Sequence, residues 1–183
     1  TYIRNDESPV FAIRRKKEAS LVLAFSHLNA GGDVLLSAGS TGALLAGGYF
    51  LTKRIEGMER MCLVPTIPNV HGGILLADAG ATMDTTPAML LQFAEISAAY
   101  AKRALGKQTV KVGLLNVGQE SEKGDKRATE TYHLLEESDL TFVGNIEARD
   151  ILTADCDVLV TDGFSGNVAL KTMEGTAKYA LQT

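Results

Sequence analysis

The chain has 183 residues, 45% of them hydrophobic and 22% charged, with a formal net charge of -4 and only two cysteines, Cys62 and Cys156. That length and apolar content suit one globular domain, while the mild acidity excludes the basic face of a nucleic-acid binder, and Arg14-Arg15-Lys16-Lys17 reads as a solvated helix face. No apolar run nears the ~20 residues that cross a bilayer, no signal peptide is seen, and cysteines set among apolar neighbours fit a reducing compartment, so a cytoplasmic location is expected.

In chain order, Ser8-Pro9 is a good N-cap and first-turn pair, and residues 10–28 have helical apolar spacing that Asn29-Ala30-Gly31-Gly32 stops. A strand is predicted over 34–37 and a helix over 41–54. Residues 61–67 and 73–77 form two short apolar runs around the turn 68–72, which predicts an antiparallel pair. Thr86-Pro87 opens a long amphipathic helix with Leu90, Phe93, Ile96, Ser97 and Tyr100 on one face. A strand follows at 110–115, a helix at 126–137, a strand at 141–143, a short helix at 146–152, a strand at 158–161 and a final helix through 172–183. Strand and helix alternate without linker or repeat, which predicts a single α/β domain, a three-layer sandwich on a mostly parallel sheet. The chain has no initiator methionine and ends inside a helical pattern, so a truncated chain with more sequence after its last helix is expected.

Four apolar runs end in small polar residues. Val158-Leu159-Val160 leads into Thr161-Asp162-Gly163-Phe164-Ser165-Gly166-Asn167, and Val34-Leu35-Leu36 into Ser37-Ala38-Gly39-Ser40-Thr41-Gly42. Asp78-Ala79-Gly80-Ala81 follows Ile74-Leu75-Leu76, and Asn116-Val117-Gly118 follows Leu114-Leu115. In an open parallel sheet such carboxyl ends share one edge, where ligands bind. A glycine turn that starts a helix also aims backbone N–H groups at one point, a natural anion site. Ser37, Gly39, Ser40, Thr41, Gly42, Asp78, Gly80, Asn116, Asp162, Gly163, Ser165 and Gly166 are therefore the candidate substrate-binding residues.

Lys123, in the polar loop after the 110–115 strand, can reach a bound anion or stay a solvated charge between Glu120 and Glu122. Asn167 can donate to an oxyanion or cap its helix, and Lys171 shares its face or lies on the surface. Asp162 orients a cation or shapes the turn; Asp78 and Asp84 raise the same question, although no dense carboxylate set suggests a metal. His27 and His133 lack triad partners, while His71 is placed near the edge. Arg149 clamps an anion or pairs with Glu147 or Asp150. Neither cysteine has the histidine or helix start that activates a thiol.

Together with Ala12-Ile13-Arg14-Arg15-Lys16-Lys17 and Phe142-Val143-Gly144-Asn145-Ile146-Glu147-Ala148-Arg149-Asp150, these motifs resemble, in the same order, the bacterial phosphate acyltransferases of phospholipid synthesis. The resemblance implies a fold like that of isocitrate and isopropylmalate dehydrogenases and phosphotransacetylases, a homodimer, no bound cofactor, and an N-terminal strand and loop and a C-terminal helical region missing from this chain. It also implies acyl-acyl-carrier protein and inorganic phosphate as substrates, acyl phosphate as product, and peripheral contact with the inner membrane face through a region outside this chain. On that reading the amides of the 39–42 and 163–167 loops hold phosphate, and Lys123 and Asn167 stabilise phosphate and the tetrahedral oxyanion as the catalytic pair. A short-chain phosphotransacetylase, a dehydrogenase of the same fold and a non-catalytic phosphate- or carrier-binding module are the alternatives.

Overall fold

A computed structural model describes residues 1–182, which divide into two units that meet between Met61 and Cys62 in sequence. The first contains three helices, α1 Pro9–Arg15, α2 Ser20–Asn29 and α3 Thr41–Leu51, around a core that includes Ile13, Ala19, Phe25 and Ala43. The single helix predicted over 10–28 is two. Lys16 leaves helical geometry (φ -94°, ψ 68°) as its ammonium turns to Glu7, 2.7 Å away, and to the Tyr2 carbonyl, and Ala19 caps a new helix while fully buried. The 34–37 segment is not a strand here: it has no ladder partner among the described residues, and Val34 and Leu36 are 83% and 95% exposed. Helix α3 stops at Leu51, short of the predicted 54, because Thr52 turns extended and the Asn29 amide takes the Leu51 carbonyl.

The second unit is built on five strands, β1 Thr66–Ile67, β2 Ile74–Ala77, β3 Lys111–Asn116, β4 Thr141–Glu147 and β5 Val158–Val160, in the order β1-β2-β5-β3-β4. Strands β2, β5, β3 and β4 are parallel; β1 joins β2 antiparallel, as the turn at 68–72 predicted. Every residue of β2 and β5 is buried, the mark of strands covered on both faces. One face carries Ile74, Leu76 and Leu159 against Ala169, Leu170 and Met173 of α6 Gly163–Ala180. By alternation Leu75, Val158 and Val160 turn to the other face, where α4 Pro87–Ala104 lies on β2, β5 and β3, and α5 Lys126–Glu136 packs on α4, β3 and β4. This is a three-layer α/β arrangement on a mostly parallel sheet.

Two details differ from expectation. Tyr100 is 53% exposed, so the buried stripe of α4 runs through Leu90, Phe93, Ala94, Ser97, Ala98 and Ala101 instead. The predicted helix at 146–152 shrinks to a single 3-10 turn, Ala148–Asp150, because β4 continues to Glu147. A register shift, with Gly144 at φ +90°, lets Asn145, Ile146 and Glu147 pair with Leu114, Leu115 and Asn116.

Candidate functional site

Register fixes the edge. Ala77, Val160 and Leu114 lie level across β2, β5 and β3, so the residues that follow them emerge side by side. Sequence alternation and parallel pairing thus place Asp78, Asn116, Thr161 and Asp162 along one carboxyl edge, as predicted.

Asp78 is fully buried, and its carboxylate accepts five backbone bonds: from Leu63 (2.8 Å), Gly80 (3.1 Å), Ala81 (3.0 Å to each oxygen) and Thr82 (2.6 Å). Its negative charge is spent on holding the 78–82 loop. The start of α6 lies against that loop, so closely that a Cβ on Gly166 would fall 1.9 Å from the Asp78 carbonyl oxygen. Only glycine fits there. Asn167 closes the same contact, its Nδ2 donating to the Ala79 carbonyl at 3.2 Å and packing over Gly80.

Asp162 caps α6: Oδ1 accepts the amides of Phe164 and Ser165, each at 3.0 Å. The Gly163 amide goes to the Thr82 carbonyl and that of Gly166 to the Asp162 carbonyl. All four amides at this helix start are therefore occupied by the chain itself, and the amide cradle expected for phosphate at 163–167 is filled by an internal carboxylate. The turn at 37–42, within the first unit, behaves differently. The Gly39 amide bonds Ser37 Oγ and the Ala43 amide bonds Ser40 Oγ, whereas the Thr41 and Gly42 amides at the start of α3 have no partner among the described residues.

Lys123 sits on a loop clipped at two points. Asn116 Nδ2 donates to the Lys123 carbonyl (2.9 Å), and Asn145 Nδ2, from the neighbouring strand, donates to the Glu120 carbonyl (2.8 Å). Gly124, at φ +94°, completes the clip, since a Cβ there would meet Asn116 Oδ1 at 2.6 Å. The Lys123 side chain is exposed and makes no ion pair among the described residues, although Glu120 and Glu122 flank it.

A cleft of about 590 Å³ crosses the edge from the α4–α5 face to the α6 face, and Asn116, Asp162 and Ser165 line it. Lys123 and Asn167 do not; each is next in sequence to a lining residue, Gly124 and Val168. Arg127, on the first turn of α5, lines it too. Its guanidinium reaches Asp162 Oδ2 at 3.0 Å, Thr85 Oγ1 at 3.3 Å and Asp125 at 3.5 Å. Sequence reading missed Arg127 because its partner Asp162 lies on a distant strand end, and missed Asn145 as a loop anchor because its contact appears only once β4 is extended. The signal available for Arg127 was modest: a cation two residues after an N-cap aspartate, beside the polar loop.

Other candidates lie elsewhere. His71 is in the turn before β2, at the opposite end of that strand from Asp78, and not at the carboxyl edge. Lys171 pairs with Glu174 in the open, Arg149 with Glu147, and Asp84 is exposed. Burial pushes both thiols up to about 12; Cys156, with its Sγ 2.9 Å from the Val158 carbonyl, is a core residue, and Cys62 is half-buried.

A parallel α/β sheet whose carboxyl edge carries a glycine-tight helix start, an asparagine-clipped lysine loop and an open cleft defines the class of edge-binding α/β proteins. The chain belongs to the fatty acid synthesis protein family, whose model matches residues 1–183. It is 50% identical over 177 residues to a phosphate acyltransferase of Anoxybacillus flavithermus and to one of Bacillus licheniformis, covering 96% of this chain and 54% of each relative. A phosphate acyltransferase of Finegoldia magna is 49% identical over 177 residues, with 97% and 54% covered. The chain thus spans about half the length of the curated relatives it matches. No helix among the described residues is long and apolar enough to cross a membrane.

Proposed function

We propose that this chain forms part of a phosphate acyltransferase that converts long-chain acyl-acyl-carrier protein and inorganic phosphate to acyl phosphate and free carrier protein, feeding phospholipid synthesis. The observation that carries the reading is Lys123: a cation with no ion pair among the described residues, on a loop held to two parallel strands by Asn116 and Asn145, beside the sheet's carboxyl edge. Family membership and the names of relatives at about half identity support it.

In this reaction a phosphate oxygen attacks the thioester carbonyl carbon. The new C–O bond forms as the π pair moves to oxygen; collapse of the tetrahedral species then breaks the C–S bond and releases the carrier thiolate. A thiol with a pKa of about 8.5 leaves without much help from a general acid, so positioning and charge stabilisation dominate. Lys123 and Asn167 supply donors to the phosphate and the oxyanion, Ser165 adds a hydroxyl at the cleft, and Asp78, Gly80, Gly163 and Gly166 hold the shape of the edge. Within the first unit, taken by itself, the Thr41 and Gly42 amides of the 37–42 turn have no partner among the described residues, as an anion-binding turn requires, with Ser37, Gly39 and Ser40 shaping that turn. A homodimer working at the cytoplasmic membrane face is the assembly this reading implies.

The test is to incubate the full-length protein with acyl-acyl-carrier protein and phosphate and trap acyl phosphate with hydroxylamine. Hydroxamate that appears only with phosphate is expected; a folded full-length protein that makes none overturns the reading. Acetyl-coenzyme A in place of the long-chain donor separates it from a short-chain phosphotransacetylase.

A further inference from the structure

The cleft across the carboxyl edge has a lining unsuited to phosphate. Its charged residues are Asp125, Arg127 and Asp162, two carboxylates around one guanidinium that lies 3.0 Å from Asp162 and 3.5 Å from Asp125, which leaves one negative charge in excess and repels an anion. No cation lining it is left for an incoming anion, and the helix start beside it has its amides filled. The remaining surface is largely aliphatic. Leu90, Leu114 and Ile151 form a floor at most 2% exposed, and Phe164, Val168 and Thr172 stand at i, i+4 and i+8 along α6 as an exposed lip.

We propose that this cleft receives the hydrocarbon chain of the acyl donor and that the Phe164–Val168–Thr172 row gauges its length; this rests on the acyl-transfer reading above. An apolar-floored space of about 590 Å³, with its charged residues confined to one end, falls within the range of small-molecule pockets and matches an uncharged alkyl occupant. The polar end, at Asn116, Asp162 and Ser165, is where the thioester carbonyl lies, and the chain runs toward Thr172 and Met173, a path of about 12 Å along the helix. The acyl chain and phosphate therefore use separate subsites.

Each methylene buried contributes about fourfold in affinity, so kcat/KM of the full-length protein should climb by up to that factor per carbon along a series of saturated acyl-carrier thioesters and then level off. Thr172→Trp and Val168→Trp change exposed helix positions, so folding is retained while the groove is blocked. Each should lower the long- to short-chain ratio of kcat/KM by about fifteenfold or more, the value of two lost methylenes. Calorimetric binding of unreactive alkyl-thioether carriers, without phosphate, should show the same shift. Length profiles that run parallel to wild type in both variants overturn the proposal. So does a fall in stability with no change in length preference, which would mean that protein outside this chain covers the cleft. If no acyl phosphate forms with any donor while thioether binding remains length-dependent and tryptophan-sensitive, the transfer reading fails and the groove stands.

Discussion

Arg127 Nη2 stands 3.0 Å from Asp162 Oδ2, while Oδ1 of the same carboxylate receives the first amides of α6. One side chain, its carboxyl 8% exposed, thereby joins the start of α5 to the start of α6. Asp162→Asn keeps an N-cap acceptor but loses the ion pair and should cost about 1 kcal/mol; Asp162→Ala loses both and should cost about 2–4 kcal/mol. Urea denaturation of the two variants checks the order. Equal losses would mean that the cap contributes nothing.

Lys123→Ala in the full-length protein should lower turnover by on the order of a hundredfold or more, the usual loss when one oxyanion or phosphate donor is removed. Its exposed side chain has no ion pair to break, so the urea midpoint should stay at the wild-type value. Near-normal turnover in the hydroxamate assay removes Lys123 from the mechanism.

Gly166→Ala forces a methyl group against the Asp78 carbonyl and should destabilise by about 3 kcal/mol or more, or prevent folding. Gly175 lies on the same helix with nothing within 4 Å of its would-be Cβ. Gly175→Ala should therefore stabilise by about 0.5–1 kcal/mol. Thermal melts that rank the two alike would contradict the close approach of α6 to the 78–82 loop.

Cys62 and Cys156 titrate from 9.0 when unhindered to about 12 when buried. The folded state keeps their protons where the unfolded chain has lost them. Their contribution to stability is thus complete below pH 9 and is lost as pH rises toward 12. The double variant Cys62→Ala/Cys156→Ala should show a flatter decline of stability over that window. Native Cys156 should also react with a disulfide reagent at neutral pH only as fast as the protein opens; rapid labelling of it would place it outside the core.

The second unit was largely legible because its signals are local. Fully apolar runs marked β2 and β5 and a mainly apolar one marked β3, Thr86-Pro87 marked the start of α4, and Asp162 before two glycines marked the start of α6. What escaped depends on distant partners. Lys16 breaks a helix because Glu7 and Tyr2 draw its ammonium away, and residues 146–147 become strand because β3 offers them hydrogen bonds. The site followed the same rule. The strand ends were readable from polarity, but the use of the α6 amides by Asp162 and Thr82, and the pairing of Arg127 with Asp162, exist only in three dimensions.

The strand order carries a consequence for synthesis. Leu75 pairs with Val158, so β2, made early, has no neighbour on its inner side until β5 emerges, and β3 also borders β5. The middle of the sheet is a late-arriving keystone, and closing so long a loop delays folding. Nascent chains halted before β5 should expose β2 and β3 to chaperones, and pulse-labelled amide protection should appear at Leu75 and Val158 together. Earlier protection at Leu75 would contradict this order of assembly.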